Sequence, residues 1–311
     1  MKRQEYILVI GGSNADISGI PQTKFVPGDS NPGFVNIAAG GVGRNIAENI
    51  ARLDCPVKLL SAVGNDHFGN FLKHECISAG IDITALITSD KMRTSSYLCI
   101  NDTEHEMIAA VSDMEIITCI GPDLIRQHSC MIAEASSVVI DNNISPETID
   151  AVKRTGCRRI LFDAVSGKKL QRSMNSIRNI DTVKLNRLEA ELLSVTSISG
   201  LKEAEKASEI IAERGIHNVF ITMGAEGAHY RSTCGCFNIA ASTLPVRNTT
   251  GAGDAFLAGI ACGQFHSLEG LELLEYGAAC AALAAASVKT VPKDMNPAII
   301  DKIINGDING F

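Results

Sequence analysis

The stretch Asn248-Thr249-Thr250-Gly251-Ala252-Gly253-Asp254 carries the residue types and spacing best suited to chemistry. A strand-like run, Thr243 to Val246, leads into it, and the small-residue run Ala255 to Gln264 that follows predicts a helix. Two glycines in three positions leave the backbone N–H groups uncovered by side chains. At a helix start those groups have no intrahelical partner and carry the positive end of the dipole. The result is an anion pocket, for a phosphate or for charge developing in a transition state. Asp254 falls in the first helical turn, beside whatever the pocket holds. A carboxylate next to an anion hole suits one job: taking a proton from a hydroxyl while a phosphoryl group moves onto it. The other reading is a tight turn with an ordinary helix-start aspartate.

Other stretches offer matching parts. Asn14 and Asp16 follow the double glycine Gly11-Gly12, and a carboxamide with a carboxylate can grip vicinal hydroxyls; an Asx-turn is the plainer reading. Asn186 and Glu189, three apart at a strand-to-helix junction, share a helix face and could hold Mg²⁺ beside a triphosphate, or simply cap the helix. Gly40-Gly41-Val42-Gly43 is a glycine turn, but Ile46 stands where the third glycine of a dinucleotide fingerprint belongs. A nicotinamide oxidoreductase is therefore disfavoured, and a turn that offers backbone amides to a substrate hydroxyl suits the residues better. No phosphate-binding P-loop occurs, since Gly167-Lys168 lacks both its partner glycine and a following hydroxyl. The seven histidines are dispersed and none has metal-ligand spacing.

Composition narrows the classes. The chain has 311 residues, enough for a large core, and 45% of them are hydrophobic, which argues against disorder. A net charge of −7 with no basic block argues against nucleic-acid and membrane-surface partners. Ten scattered cysteines without a Cys-x-x-Cys pair, behind Met1-Lys2-Arg3 with no secretory leader, read as reduced thiols of a cytoplasmic protein. No apolar run reaches the ~18 residues of a membrane span. Ala278 to Val288 reads as a buried helix.

These residues need a scaffold. Tyr6 to Ile10 predicts a first strand, and Val57 to Val63 a second after a helix from the Gly43 turn, with a helix following from 66 to 79. From residue 123 onward helices and strands alternate: helix 123–134, strand 138–141, helix 146–155, strands 160–163 and 183–185, helices 187–194 and 202–214, strand 219–222. Such alternation means a mostly parallel sheet covered on both faces, with ligands at the carboxyl ends of its strands. Those ends carry Asp141-Asn142-Asn143, Asp163, Asn186 and Thr222-Met223-Gly224. Two β excursions stand apart, one after the first strand and one hairpin (94–101 and 105–111) turning at Asn101-Asp102; they pair into a small sheet. There is no internal repeat and no low-complexity linker.

Taken together, Gly11 to Asp16, Gly40 to Asn45, the Asn186–Glu189 pair, Thr222 to Gly227 and Thr250 to Asp254 resemble the ribokinase-like (PfkB) sugar and nucleoside kinases along essentially the whole chain. Asp29-Ser30-Asn31-Pro32-Gly33, Gly41 to Asn49, Thr94 to Leu98 and Lys184 to Glu191 are similar to a nucleoside-phosphorylating branch of that family. The resemblance implies a single α/β kinase domain over 1–311, a three-layer fold with a mostly parallel central sheet and a small β-sheet lid from about 14–38 and 94–113. It also implies roles: Asp254 as base, with Gly251, Ala252 and Gly253 as anion hole. Asn14, Asp16, Gly41, Asn45, Thr94 and Asn143 would hold the nucleoside. Asn186, Thr222, Gly224 and Gly227 would line the ATP site, and Glu189 would serve Mg²⁺. A homodimer through the lid is a further implication. Many relatives carry an aspartate where this chain has Asn248, which puts K⁺ activation in doubt. A non-catalytic sugar-binding protein of the same fold is the rival from another class.

Overall fold

The computed structural model describes residues 5–104 and 106–307. Met1-Lys2-Arg3 and His105, where the second hairpin strand was expected to begin, lie outside the described residues. In chain order, β1 (Ile7–Ile10), β2 (Asn14–Pro21) and β3 (Gly33–Gly40) lead into α1 (Val42–Arg52). Next come β4 (Val57–Leu60), β5 (Ala62–Gly64), α2 (His67–Ser78), β6 (Ile87–Ser89), β7 (Ser96–Asn101) and β8 (Met107–Asp113). The alternating part runs α3 (Pro122–Gln127), α4 (Ser129–Glu134), β9 (Ser137–Asp141), α5 (Pro146–Lys153), β10 (Ile160–Asp163) and α6 (Gly167–Ser173). It continues through β11 (Thr182–Asn186), α7 (Arg187–Ser194), α8 (Leu201–Ala212), β12 (Asn218–Thr222), β13 (Ala228–Ser232) and β14 (Gly235–Ile239). Three helices close the chain: α9 (Ala252–Phe265), α10 (Gly270–Ala286) and α11 (Pro297–Ile304).

The large sheet has the order β14-β13-β12-β11-β10-β9-β1-β4. Its strands from β4 to β12 are parallel, and β13 and β14 extend it as antiparallel edge strands. Alternate residues of a strand face opposite sides. Leu8 and Ile10 thus join a core with Val138, Ile140 and Phe162, while Ile7 and Val9 join a second core with Val139, Leu161 and Phe220. Helices α3 to α8 cover the first core; α1, α9, α10 and α11 cover the second. This is the three-layer arrangement expected from the alternation. Helix starts follow their side chains: Ser145 caps α5 ahead of Pro146, and Asn296 caps α11 ahead of Pro297.

The lid is a separate four-stranded sheet of order β3-β2-β7-β8, built from both β excursions. Register gives its two faces different characters. Ile17 stands opposite Ile37 and Leu98, and Leu98 opposite Val111, in one apolar row. One residue back, Asp16 stands opposite Ala38 and Tyr97, and Tyr97 opposite Ser112, on the other face.

Three local expectations are corrected. The run 243–246 is irregular rather than a strand: β14 ends at Ile239, and only Leu244 of the run is buried while Val246 is exposed. The expected helix 123–134 breaks in two at His128, whose φ of −98° and ψ of 14° leave the helical region. Val57 to Val63 divides at Ser61 into β4, in the main sheet, and β5, which pairs with β6.

Candidate active site

Helix α9 begins at Gly251, whose φ of 86° is left-handed. Position 251 is closed to side chains, because an added Cβ would lie 2.3 Å from the Thr290 carbonyl oxygen. The first-turn amides of Gly253 and Asp254 point out of the helix start, while that of Ala252 donates to the Thr249 carbonyl (3.3 Å). Beneath this turn lies a cation that the sequence reading did not single out. Lys184, buried on β11, places its Nζ 2.6 Å from where a Cβ on Gly253 would sit. Its ammonium donates to Asp163 Oδ2 at the end of β10 (3.0 Å). Burial works against that charge, but Asp163, Glu189 and Asp254 outweigh it and hold Lys184 above the usual lysine range. The turn expected to form the anion hole thus sets helix-start amides beside a fixed ammonium.

Asp254 extends from the same turn and accepts from Asn45 Nδ2 (2.9 Å) at the start of α1. Burial first, then the neighbouring Asp163, pushes its carboxyl up to about 7; Asn45 and Lys184 pull it back, and Asp141 adds to the rise. A carboxyl poised near neutrality is a far better proton acceptor than one at the ordinary 3.8.

Asp141, at the end of β9, organises both glycine turns. Its Oδ2 accepts from Gly12 N (2.8 Å) and Gly43 N (2.7 Å), and its Oδ1 accepts from Asn143 N (2.8 Å). A Cβ on Gly11 would fall 2.4 Å from that carboxylate, so the first glycine serves this close approach. The sequence showed Asp141 only as a polar strand end; the contact that gives it a purpose spans 129 residues to Gly12 and 98 to Gly43.

The expected substrate residues gather at the mouth between lid and sheet. Asn14 donates to Asp16 Oδ1 on β2. Burial pushes Asp16 up to about 6 against the pull of Arg44 and Asn14. Gly40 faces that carboxylate and Gly41 caps α1 with a φ of 97°. Asn143 accepts from Lys169 Nζ on α6, a second cation absent from the sequence reading. Burial lowers Lys169 below the usual range despite Asp141. Thr94 is placed differently. Its hydroxyl accepts from Gly64 N (2.9 Å) and donates to Asp66 Oδ1 (2.6 Å), bracing the base of β7.

The expected nucleotide residues sit together at the ends of β11 and β12, where Asn186 is the register partner of Thr222. Asn186 and Glu189 form a reciprocal capping box for α7: Asn186 Oδ1 accepts from Glu189 N (2.9 Å) and Glu189 Oε2 from Asn186 N (2.8 Å). The capping interpretation of this pair is therefore realised, and Oε1 of Glu189 is not consumed by the cap. Burial raises the Glu189 carboxyl, opposed by the capping bond and by Lys184. Gly224 and Gly227 turn the chain after β12 with φ of 59° and 88°, and Gly227 packs against the Ile239 carbonyl. A separate cavity of about 360 Å³, lined by Asp181, His217, Asn218 and Gln264, opens at the amino ends of the strands, away from this constellation.

Comparison with known proteins places the chain in a family. A family model described as pfkB family carbohydrate kinase matches residues 4–296. The chain is 32% identical over 306 residues to a pseudouridine kinase of Escherichia coli (strain K12), covering 98% of each. A carbohydrate kinase from Agrobacterium tumefaciens superposes with a TM-score of 0.84 at 25% identity, over 97% of both chains. Arabidopsis thaliana ribokinase, solved with ribose and ATP, has the same fold with a TM-score of 0.82 at 19% identity, over 96% of this chain and 98% of that one. With the family match running through nearly its whole length, the chain belongs to the pfkB family of carbohydrate kinases.

Proposed function

We propose that this protein is an ATP-dependent kinase that phosphorylates the 5′-hydroxyl of pseudouridine. The observation that carries the chemistry is Asp254, raised to about 7 and set in the same helical turn as the Gly251–Gly253 anion hole. In the proposed step Asp254 accepts the hydroxyl proton while the new oxygen–phosphorus bond forms. The bond from the γ-phosphorus to the β,γ-bridging oxygen breaks, and ADP leaves. The Gly251–Gly253 turn, through the Gly253 and Asp254 amides rather than that of Ala252, which is held by the Thr249 carbonyl, and the Lys184 ammonium meet the charge on the transferring group. Asn14, Asp16, Gly41, Asn45 and Asn143 hold the nucleoside, with Thr94 supporting the lid beneath it. Asn186, Thr222, Gly224 and Gly227 line the ATP site.

Mg²⁺ fits the residues present: Oε1 of buried Glu189, and Asn186 through water, offer hard oxygen ligands next to the phosphate end. Bound there, the ion would neutralise phosphate charge. K⁺ fits poorly. Asn248 brings no charge and its Oδ1 accepts from Thr250 N (2.9 Å), while the Ala285 carbonyl takes the N–H groups of Arg247 and Asn248. The proposal therefore carries no K⁺ requirement.

For the substrate, support comes from the full-length likeness to a pseudouridine kinase and from the lid loop. There Asn31 exchanges hydrogen bonds with the Val26 backbone and shapes the Asp29–Gly33 turn. Free thiols at all ten cysteines suit a cytoplasmic setting. Among the described residues no helix is long and apolar enough to cross a membrane. Asp254→Asn is expected to cut turnover about 10³-fold while thermal unfolding and ATP binding persist. A variant retaining more than a tenth of wild-type kcat would remove Asp254 as the base. A ribokinase or another nucleoside kinase of this fold would lose activity in the same way, so this test addresses the chemistry and leaves the acceptor to a substrate comparison.

A further inference from the structure

Arg44 is a buried cation, with 2% of its surface exposed, and a buried charge persists only if its donors are matched. Nε donates to the Gly40 carbonyl (3.0 Å) and Nη2 to the Ala39 carbonyl (2.9 Å), the last two residues of lid strand β3. Nη1 pairs with Glu48 (2.5 Å), which is held in turn by Arg52. The remaining bond runs from Nη2 to Asn45 Oδ1. A guanidinium has donors and no acceptor, so the Asn45 atom facing it must be the oxygen. The Asn45 amide nitrogen then faces the other way, onto Asp254 Oδ2 at 2.9 Å.

We propose that Arg44 is a positioning residue: it locks the Asn45 amide so that Asp254 receives an N–H, and it makes that lock from the end of the lid strand. The inference rests on Asp254 being the base. Asp254 also faces Asp163 from β10, Asp141 from β9 and Lys184 from β11, while α1 presents Asn45, backed by Arg44 and Glu48. Two of those neighbours are carboxylates that oppose ionisation, and the N–H from Asn45, with the Lys184 ammonium, works against them in favour of the carboxylate. Without Arg44, Asn45 is free to rotate and present its oxygen. That orientation suits a protonated Asp254, which cannot act as base.

The test is the pH dependence of kcat/KM for the nucleoside at saturating Mg-ATP, in wild type, Arg44→Met and Asn45→Asp. Asn45→Asp is isosteric and still accepts from Arg44, but shows Asp254 an oxygen in place of the N–H. Both variants are expected to move the acidic limb upward by about one pH unit or more, with activity partly regained at alkaline pH. If Arg44→Met does not fold, the Asn45→Asp limb decides. A uniform loss at all pH values, with limbs coincident with wild type, would overturn the proposal and leave Arg44 as a clamp for β3. Asp254→Asn, measured alongside, separates the two readings: if it retains turnover the base assignment fails, and if it is inactive while the limbs stay fixed only the Arg44 role fails.

Discussion

Asp254 has its carboxyl raised by burial first, and then by the two acidic strand ends beside it, Asp163 and Asp141. A carboxyl pushed up to about 7 is ionised, and so competent as a base, only above that pH. Turnover is therefore expected to climb about tenfold per pH unit below ~7 and to level off above it. A pH–rate profile flat from 5 to 8 would contradict this. The same shift has a stability consequence of definite sign. The folded-state value lies above the ordinary 3.8, so the fold favours the protonated carboxyl. The stability it contributes is fully present below about 3.8 and is lost as pH rises through about 7. Asp254→Asn removes the ionisation, and should raise the melting temperature at pH 8 by on the order of 2 °C, and by less at pH 5. Equal shifts at both pH values would show that the group does not titrate in this range. Asp254 and its glycines were legible in the sequence because they lie within one heptapeptide. Lys184 and Asp141 were not, because their partners are supplied by strands brought together only in the sheet.

At the scale of elements, the two glycines of the α9 turn have different reasons to be glycine. Gly251 has a left-handed φ of 86° and meets the Thr290 backbone, which cannot retreat cheaply. Gly251→Ala should destabilise the fold by roughly 1–3 kcal/mol, seen as a lowered unfolding midpoint in denaturant. Gly253 meets only the tip of Lys184, a flexible chain. Gly253→Ala is expected to fold normally, yet displace the ammonium and lower kcat about 10- to 100-fold with little change in nucleoside KM. A melting loss in Gly253→Ala matching that of Gly251→Ala would refute the distinction. The alternation of strands and helices was readable because period and punctuation repeat from residue 123 onward. The run 243–246 misled because strand-like composition does not guarantee a neighbouring strand to pair with, and the break at His128 has no strong breaker residue to announce it.

At the scale of the whole molecule, the lid joins two functions. Its face bearing Asp16 would close over the proposed nucleoside site, and its opposite face sets Ile17, Ile37, Leu98 and Val111 in a row, with Ile37, Leu98 and Val111 exposed. A groove of about 400 Å³ adjoins that row, lined by Phe25, Phe34, Val35 and Ile100 among others. An exposed apolar face of this kind suits a second copy of the same lid. Sedimentation is expected to show a dimer at micromolar concentration and a monomer for Leu98→Asp; a monomeric wild type would rule the lid interface out. The two β excursions were visible in the sequence as polar, Pro/Gly-punctuated stretches outside the alternating pattern, whereas the sorting of their residues onto two faces needed the register. The central claim, that this fold and site phosphorylate pseudouridine, is tested most directly by ADP release with Mg-ATP against pseudouridine, uridine, adenosine, ribose and fructose in parallel. The expected result is turnover of pseudouridine well above the other four; preferential turnover of another acceptor, or none with any of them, would contradict it.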